Sequence, residues 1–128
     1  MNRDQRLEDL REMLDTDGEL QPTDLVERWD GWRANYENDV VETCEGVWVQ
    51  TDSIVGTDPM NVDRLVESRL VRVVNWLAEG EWEPEYSAVV LAERPNGERY
   101  VTSDGNHRVL AHKFFGYDEI YADVTVYD

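Results

Sequence analysis

The most constraining stretch of the chain runs from Tyr86 to Gly116, where side-chain periodicity passes from that of strands to that of a helix with no linker between. Tyr86 to Ala92 reads as a strand, Pro95-Asn96-Gly97 as a turn, and Glu98 to Ser103 as the strand that returns from it. The returning strand leads directly into Asp104-Gly105-Asn106-His107-Arg108 and the helical run Val109-Leu110-Ala111 to Phe115, which Gly116 stops. Ile120, Ala122, Val124 and Val126 then alternate with Tyr121, Asp123, Thr125 and Tyr127, the pattern of a half-buried last strand.

Upstream, Val47-Trp48-Val49-Gln50-Thr51-Asp52-Ser53-Ile54 is rich in β-formers and predicts a strand. Asp58 and Pro59 make a helix start, and Val62, Leu65, Val66, Leu70, Val73 and Leu77 mark one helical face until Gly80. The order after residue 46 is then strand, helix, hairpin, helix, strand. Before it, Leu7, Leu10 and Leu14 predict a short amphipathic helix from Arg3 to Asp15, broken by Thr16-Asp17-Gly18. After Pro22, Asp24 and Glu27 open a second helical stretch whose apolar side is Leu25, Trp29, Trp32, Tyr36 and Val40. The chain is expected to divide into a helical N-terminal extension, residues 1–45, and a sheet domain, residues 46–128.

Charge limits the partners. Twelve basic against 29 acidic side chains give a formal charge of −17, and 11 of the 12 cations are arginine, Lys113 being the exception. Such a surface repels a polyanion, which excludes a broad DNA-binding face. The acid excess reads as adaptation to high salt, where the Debye length shrinks to about 3 Å at 1 M. Cys44 is the single cysteine, which excludes an intrachain disulfide, a thiolate zinc cluster and a Cys-x-x-Cys redox pair. The longest apolar run, Ala88 to Ala92, is far short of a spanning helix, and the first residues are acidic rather than signal-like. A soluble, cytoplasmic protein without a membrane partner is expected.

Chemistry concentrates in Ser103-Asp104-Gly105-Asn106-His107-Arg108, where polar groups crowd between a strand and a helix. The first amides of a helix lack intrahelical acceptors and carry the positive end of its dipole, which suits a phosphate. Gly105 permits close backbone approach, Arg108 offers a fork of donors, and His107 can donate a hydrogen bond or carry a proton. The Asp104 carboxylate is of the type that holds Mg²⁺ beside phosphates. The same residues also make a simple helix cap, with Asp104 or Asn106 satisfying amides, and spacing alone leaves both readings open. Arg64, Arg69 and Arg72 are either a converging set of anion ligands or solvated charges. His107 and His112, five apart, lie about 140° from each other around a helix and do not form a metal pair, so His112 is expected to be structural. Walker, Gly-x-Gly-x-x-Gly and Gly-x-Ser-x-Gly motifs do not occur.

Asp104-Gly105-Asn106-His107-Arg108-Val109-Leu110-Ala111, with Phe115-Gly116-Tyr117-Asp118-Glu119-Ile120-Tyr121-Ala122 after it, resembles the ParB/sulfiredoxin superfamily, marked by a Gly-x-His-Arg turn between a hairpin strand and a helix. Asp58-Pro59 with Val62, Leu65 and Val66 is similar to the helix after that family's first strand, and the likeness covers residues 47 to 127. The resemblance implies a compact α+β fold with a small mixed sheet and packed helices, and a turn that binds the phosphates of a nucleotide, ATP or CTP, with Gly105, Asn106, His107 and Arg108 as phosphate contacts. It further implies Asp104 beside Mg²⁺; His107, or an acid from another loop such as Glu67 or Glu93, is expected to act on the attacking group. NTP hydrolysis and phosphoryl transfer are the activities open to such a site. Sulfiredoxins carry their reactive cysteine where this chain has Asn106, so sulfinic acid reduction is not expected. A ParB-like nuclease would hold DNA against the −17 charge, and direct DNA binding is expected to need another subunit. The alternative of a different class is a non-catalytic ParB-like module for partition or regulation. It would dock a protein partner or a second copy through the N-terminal helices, anchored by Trp29 and Trp32.

Overall fold

The structure, a computed structural model, describes residues 8, 12, 29–35, 37–64, 69, 70, 72–74, 76, 88–103 and 105–128. Six strands form one mixed sheet: β1 (Asp30–Gly31), β2 (Val40–Gln50), β3 (Ile54–Thr57), β4 (Val89–Glu93), β5 (Arg99–Val101) and β6 (Glu119–Tyr127), in the order β1-β3-β5-β4-β6-β2. Helix α1 spans Asn106–Phe115, and 3₁₀ turns span Thr51–Ser53 and Pro59–Arg64. The hairpin forms as the sequence predicts, β4 running antiparallel to β5, while β6 pairs parallel to β4 and antiparallel to β2. An α+β class with a mixed sheet is thus observed. Among the described residues, no helix is long and apolar enough to cross a membrane.

Strand alternation sorts the side chains onto two faces. Val49, Ile54, Val89, Leu91, Val101, Ile120, Ala122 and Val124 form one buried cluster that includes Val109 of α1, so the helix lies on this face. Tyr100 points the other way, where Trp32 packs with its ring centroid 5.4 Å from Tyr100 and 6.2 Å from Tyr127. The Arg94 guanidinium carbon sits 5.3 Å from the centre of the Trp32 ring and closes this layer from outside.

Three sequence expectations are corrected. Residues 30–31 and 40–45 of the expected helical extension are strand, and β2 runs through the expected boundary at residue 46. Trp29 packs against the core cluster while Trp32 covers the opposite face, because an odd spacing in extended chain separates side chains that a helix would align. Gly56 makes this possible, since a Cβ there would collide with the Asp30 carbonyl oxygen and push β1 off β3. Residues 8 and 12 are helical, whereas most of residues 1–28 lie outside the described residues.

Second, the predicted strand Val47–Ile54 divides at Thr51–Ser53, where the Ser53 hydroxyl donates to the Gln50 carbonyl at 2.6 Å and turns the chain into β3. Third, the helix start at Pro59 is a 3₁₀ turn, capped as expected by Asp58, whose Oδ1 accepts the Met60 N–H at 2.9 Å. Beyond it residues 69, 70, 72–74 and 76 are helical and bury Leu70, Val73 and Val74. Val62 has no described side chain, and Leu65, Val66 and Leu77 lie outside the described residues.

Candidate functional site

The register places three chain segments at one end of the sheet. Thr57 of β3 aligns with Val101 of β5, and Val101 with Leu91 of β4, so the exits of β3 and β5 stand beside the entry of β4. The Thr102 N–H and hydroxyl both donate to the Val90 carbonyl, at 3.0 and 3.3 Å, which holds the end of β5 against β4. Gly105 follows with φ 116° and ψ 5°, in a region where any side chain is strained. A Cβ on Gly105 would stand 2.6 Å from Val89 Cγ1, so the turn is seated on β4 only because this residue has no side chain.

Helix α1 starts from that seat, its first intrahelical bond running from the Val109 N–H to the Gly105 carbonyl at 2.9 Å. Gly105 is the N-cap residue, with no side-chain cap hydrogen bond, so the cap expected of Asn106 is not formed. Asn106 is 8 % exposed, and its Oδ1 is buried with no hydrogen-bond partner. A buried amide oxygen left unpaired costs about 1–3 kcal/mol, so its retention calls for an explanation outside packing. His107 is half-buried, and Arg108 is 7 % exposed; each is engaged with another part of the chain. This burial makes truncation of Arg108 a structural perturbation as well as a loss of charge.

His112 is structural, as the sequence predicts. Its Nδ1 lies 2.6 Å from the Arg108 carbonyl oxygen, and its ring packs edge-on to Tyr117 at 5.4 Å. That carbonyl can only accept, so Nδ1 carries the proton of the neutral ring. Burial holds the His112 pKa below its ordinary value of 6.5, the hydrogen bond to Arg108 opposing and the Arg108 charge adding to that effect. The unfolded chain therefore binds the extra proton first as the pH falls. The stability contributed by neutral His112 is complete above 6.5 and is lost as the pH falls from there toward the lower folded value. Urea melts at pH 5 and pH 8 are expected to show a loss of stability at pH 5, which His112→Gln reduces. An equal pH 5 to pH 8 difference in that variant would remove His112 as the cause.

Of the other predicted site residues, Asp104 lies outside the described residues, as does Glu67. Glu93 sits at the hairpin end of β4, roughly 13 Å along the strand from Val89 at about 3.4 Å per residue, and pairs with Arg99 Nε at 2.8 Å. It does not face the turn. Arg69 and Arg72 are exposed, and the side chain of Arg64 is not described. No group of three or more His, Cys, Asp or Glu converges to hold a metal ion among the described residues. Cys44 packs against the core cluster, and burial together with the Glu42 carboxylate pushes its thiol pKa up, which keeps it protonated.

The sequence reading missed the opposite wall of this end. Asp58 and Asn61, read only as parts of a helix, belong to the β3 exit turn, which is tied to β5 by the Asp58 N–H on the Val101 carbonyl at 2.9 Å. The Asp58 and Thr102 amides at the strand exits are spent on the Val101 and Val90 carbonyls, so what this end offers an anion is the N-terminal end of α1 and its dipole. Asn106 Oδ1, an acceptor, calls for a donor rather than a phosphate oxygen. No protein family, no curated protein and no solved structure matches the chain.

Proposed function

We propose that the chain is a nucleotide phosphate-binding protein of the ParB/sulfiredoxin type, holding phosphate oxygens at Gly105, Asn106, His107 and Arg108. The observation that carries this reading is the Gly105 turn: left-handed backbone seated on Val89 at the start of α1, where the first helix amides have no intrahelical acceptor. A phosphate there would meet the positive end of the helix dipole, with His107 as a donor or proton carrier. Phosphoryl chemistry depends mainly on positioning and charge stabilisation, so hydrolysis or transfer from bound ATP or CTP with Mg²⁺ is the activity to assay. The docking alternative finds less support, since its stated anchors Trp29 and Trp32 are half-buried, one packed on each face of the sheet.

His107→Asp tests the proposal. Aspartate in the first turn of a helix interacts favourably with the dipole by about 0.3–1 kcal/mol, so the variant is expected to melt within a few degrees of wild type. The same charge repels phosphate. Calorimetric titration with ATP, CTP, ADP and GTP, in about molar KCl to screen the acidic surface, should show saturable wild-type binding that the variant weakens by at least about tenfold. Equal affinity in the two chains would count against the phosphate turn.

A further inference from the structure

A second set of buried polar groups lies across the sheet end from Gly105, on the turn that leaves β3. Asn61 is 5 % exposed, and its Nδ2 donates to the Thr102 carbonyl at 2.7 Å and to Thr57 Oγ1 at 3.2 Å. The Thr57 hydroxyl donates in turn to the Val101 carbonyl at 3.2 Å. Because the Thr102 carbonyl can only accept, the nitrogen of the Asn61 amide must face it. One nitrogen with two protons bridges both acceptors, which no apolar residue and no single hydroxyl can do. Asn61 is itself fixed by its N–H on the Asp58 carbonyl at 2.8 Å.

Thr102 is thus gripped from both sides, by Val90 through its N–H and hydroxyl and by Asn61 through its carbonyl. Only two residues separate it from Gly105. A shift of the Thr102 peptide has little chain in which to dissipate before it reaches the helix start. We infer that Asn61 is a positioning residue for the anion turn, setting where the first amides of α1 point by holding Thr102 from the β3 side. The inference rests on the reading of Gly105 to Arg108 as a phosphate site.

Asn61→Asp keeps the side-chain size, removes the bridging N–H donors and sets a carboxylate oxygen against the Thr102 carbonyl. Thr57→Val is the milder second variant, removing the hydroxyl at nearly constant shape. Val124→Ala, in the core cluster away from the turn, serves as a control that loses stability by another route. Affinity for ATP is measured in molar KCl at a temperature where circular dichroism shows each chain folded. Asn61→Asp is expected to bind about tenfold or more weakly and Thr57→Val less so, with Val124→Ala at the wild-type value. Amide exchange without nucleotide gives the second readout. The Val109 and Thr102 N–H groups are expected to exchange faster in Asn61→Asp, while Tyr117, bonded to His112 at the far end of α1, is unchanged.

Wild-type affinity in Asn61→Asp, or an equal loss in Val124→Ala, would overturn the inference. If wild type binds no nucleotide, the phosphate reading falls with it, and faster Val109 exchange would leave Asn61 as a determinant of turn geometry alone. Unchanged Val109 exchange would overturn the positioning role whatever the binding result.

Discussion

A Gly105→Ala chain is expected to melt roughly 10 °C below wild type and to lose nucleotide binding. Two costs add. The backbone at φ 116° is strained for any L-residue, by about 1–3 kcal/mol. The new methyl would also stand 2.6 Å from Val89 Cγ1, and relieving such overpacking costs a further 1–3 kcal/mol or so. A total of about 3 kcal/mol gives the stated shift for a domain of this size. Gly97→Ala separates the terms, because its φ is 86° and nothing lies within 4 Å of the added Cβ. That hairpin variant should lose only the backbone part and keep binding. Thermal melts of both, followed by circular dichroism, check the difference; equal losses would show that Val89 gives way and that the turn is not wedged on β4.

Tyr100→Ala is expected to cost about 3–5 kcal/mol, roughly 15 °C in melting temperature, the largest loss from a single truncation on the face opposite α1. Tyr100 is fully buried, and the ring of Trp32 lies on it. Truncation removes that support and opens the Trp32 layer to water, so tryptophan emission should move to longer wavelength in the folded variant. A loss below about 1 kcal/mol would mean that the segment around Trp32 contributes no packed layer. In that event Trp32 would be available to a partner after all.

These two residues also mark where the sequence was legible. Gly105, Gly116 and Pro95-Asn96-Gly97 announce their elements through local backbone chemistry, and α1, the β4–β5 hairpin and β6 stand where the sequence places them. Among the described residues of 29–45 the spacing misleads, because Trp29 and Trp32 satisfy a helical spacing as well as an extended one. Which one wins depends on two faces of a sheet built from residues far along the chain. Gly46 misled in a similar way. It sits inside β2 at an irregularity in the register, its N–H bonded to Asp123 Oδ1 at 2.8 Å, rather than at the start of a domain. In the candidate site, Gly105 to Arg108 were legible as a contiguous motif. Asn61 was not, since its partner Thr102 is 41 residues away and nothing local distinguishes it from a helix residue.

Backbone amide shifts on titration of ATP or CTP with Mg²⁺ into the wild-type chain, in about molar KCl, test the central claim most directly. Saturable shifts centred on Gly105, Asn106, His107 and Arg108, with smaller ones at Thr102 and Asn61, are the expected result. Shifts confined to other surfaces, or none with either nucleotide at millimolar concentration, would contradict a phosphate site at the start of α1.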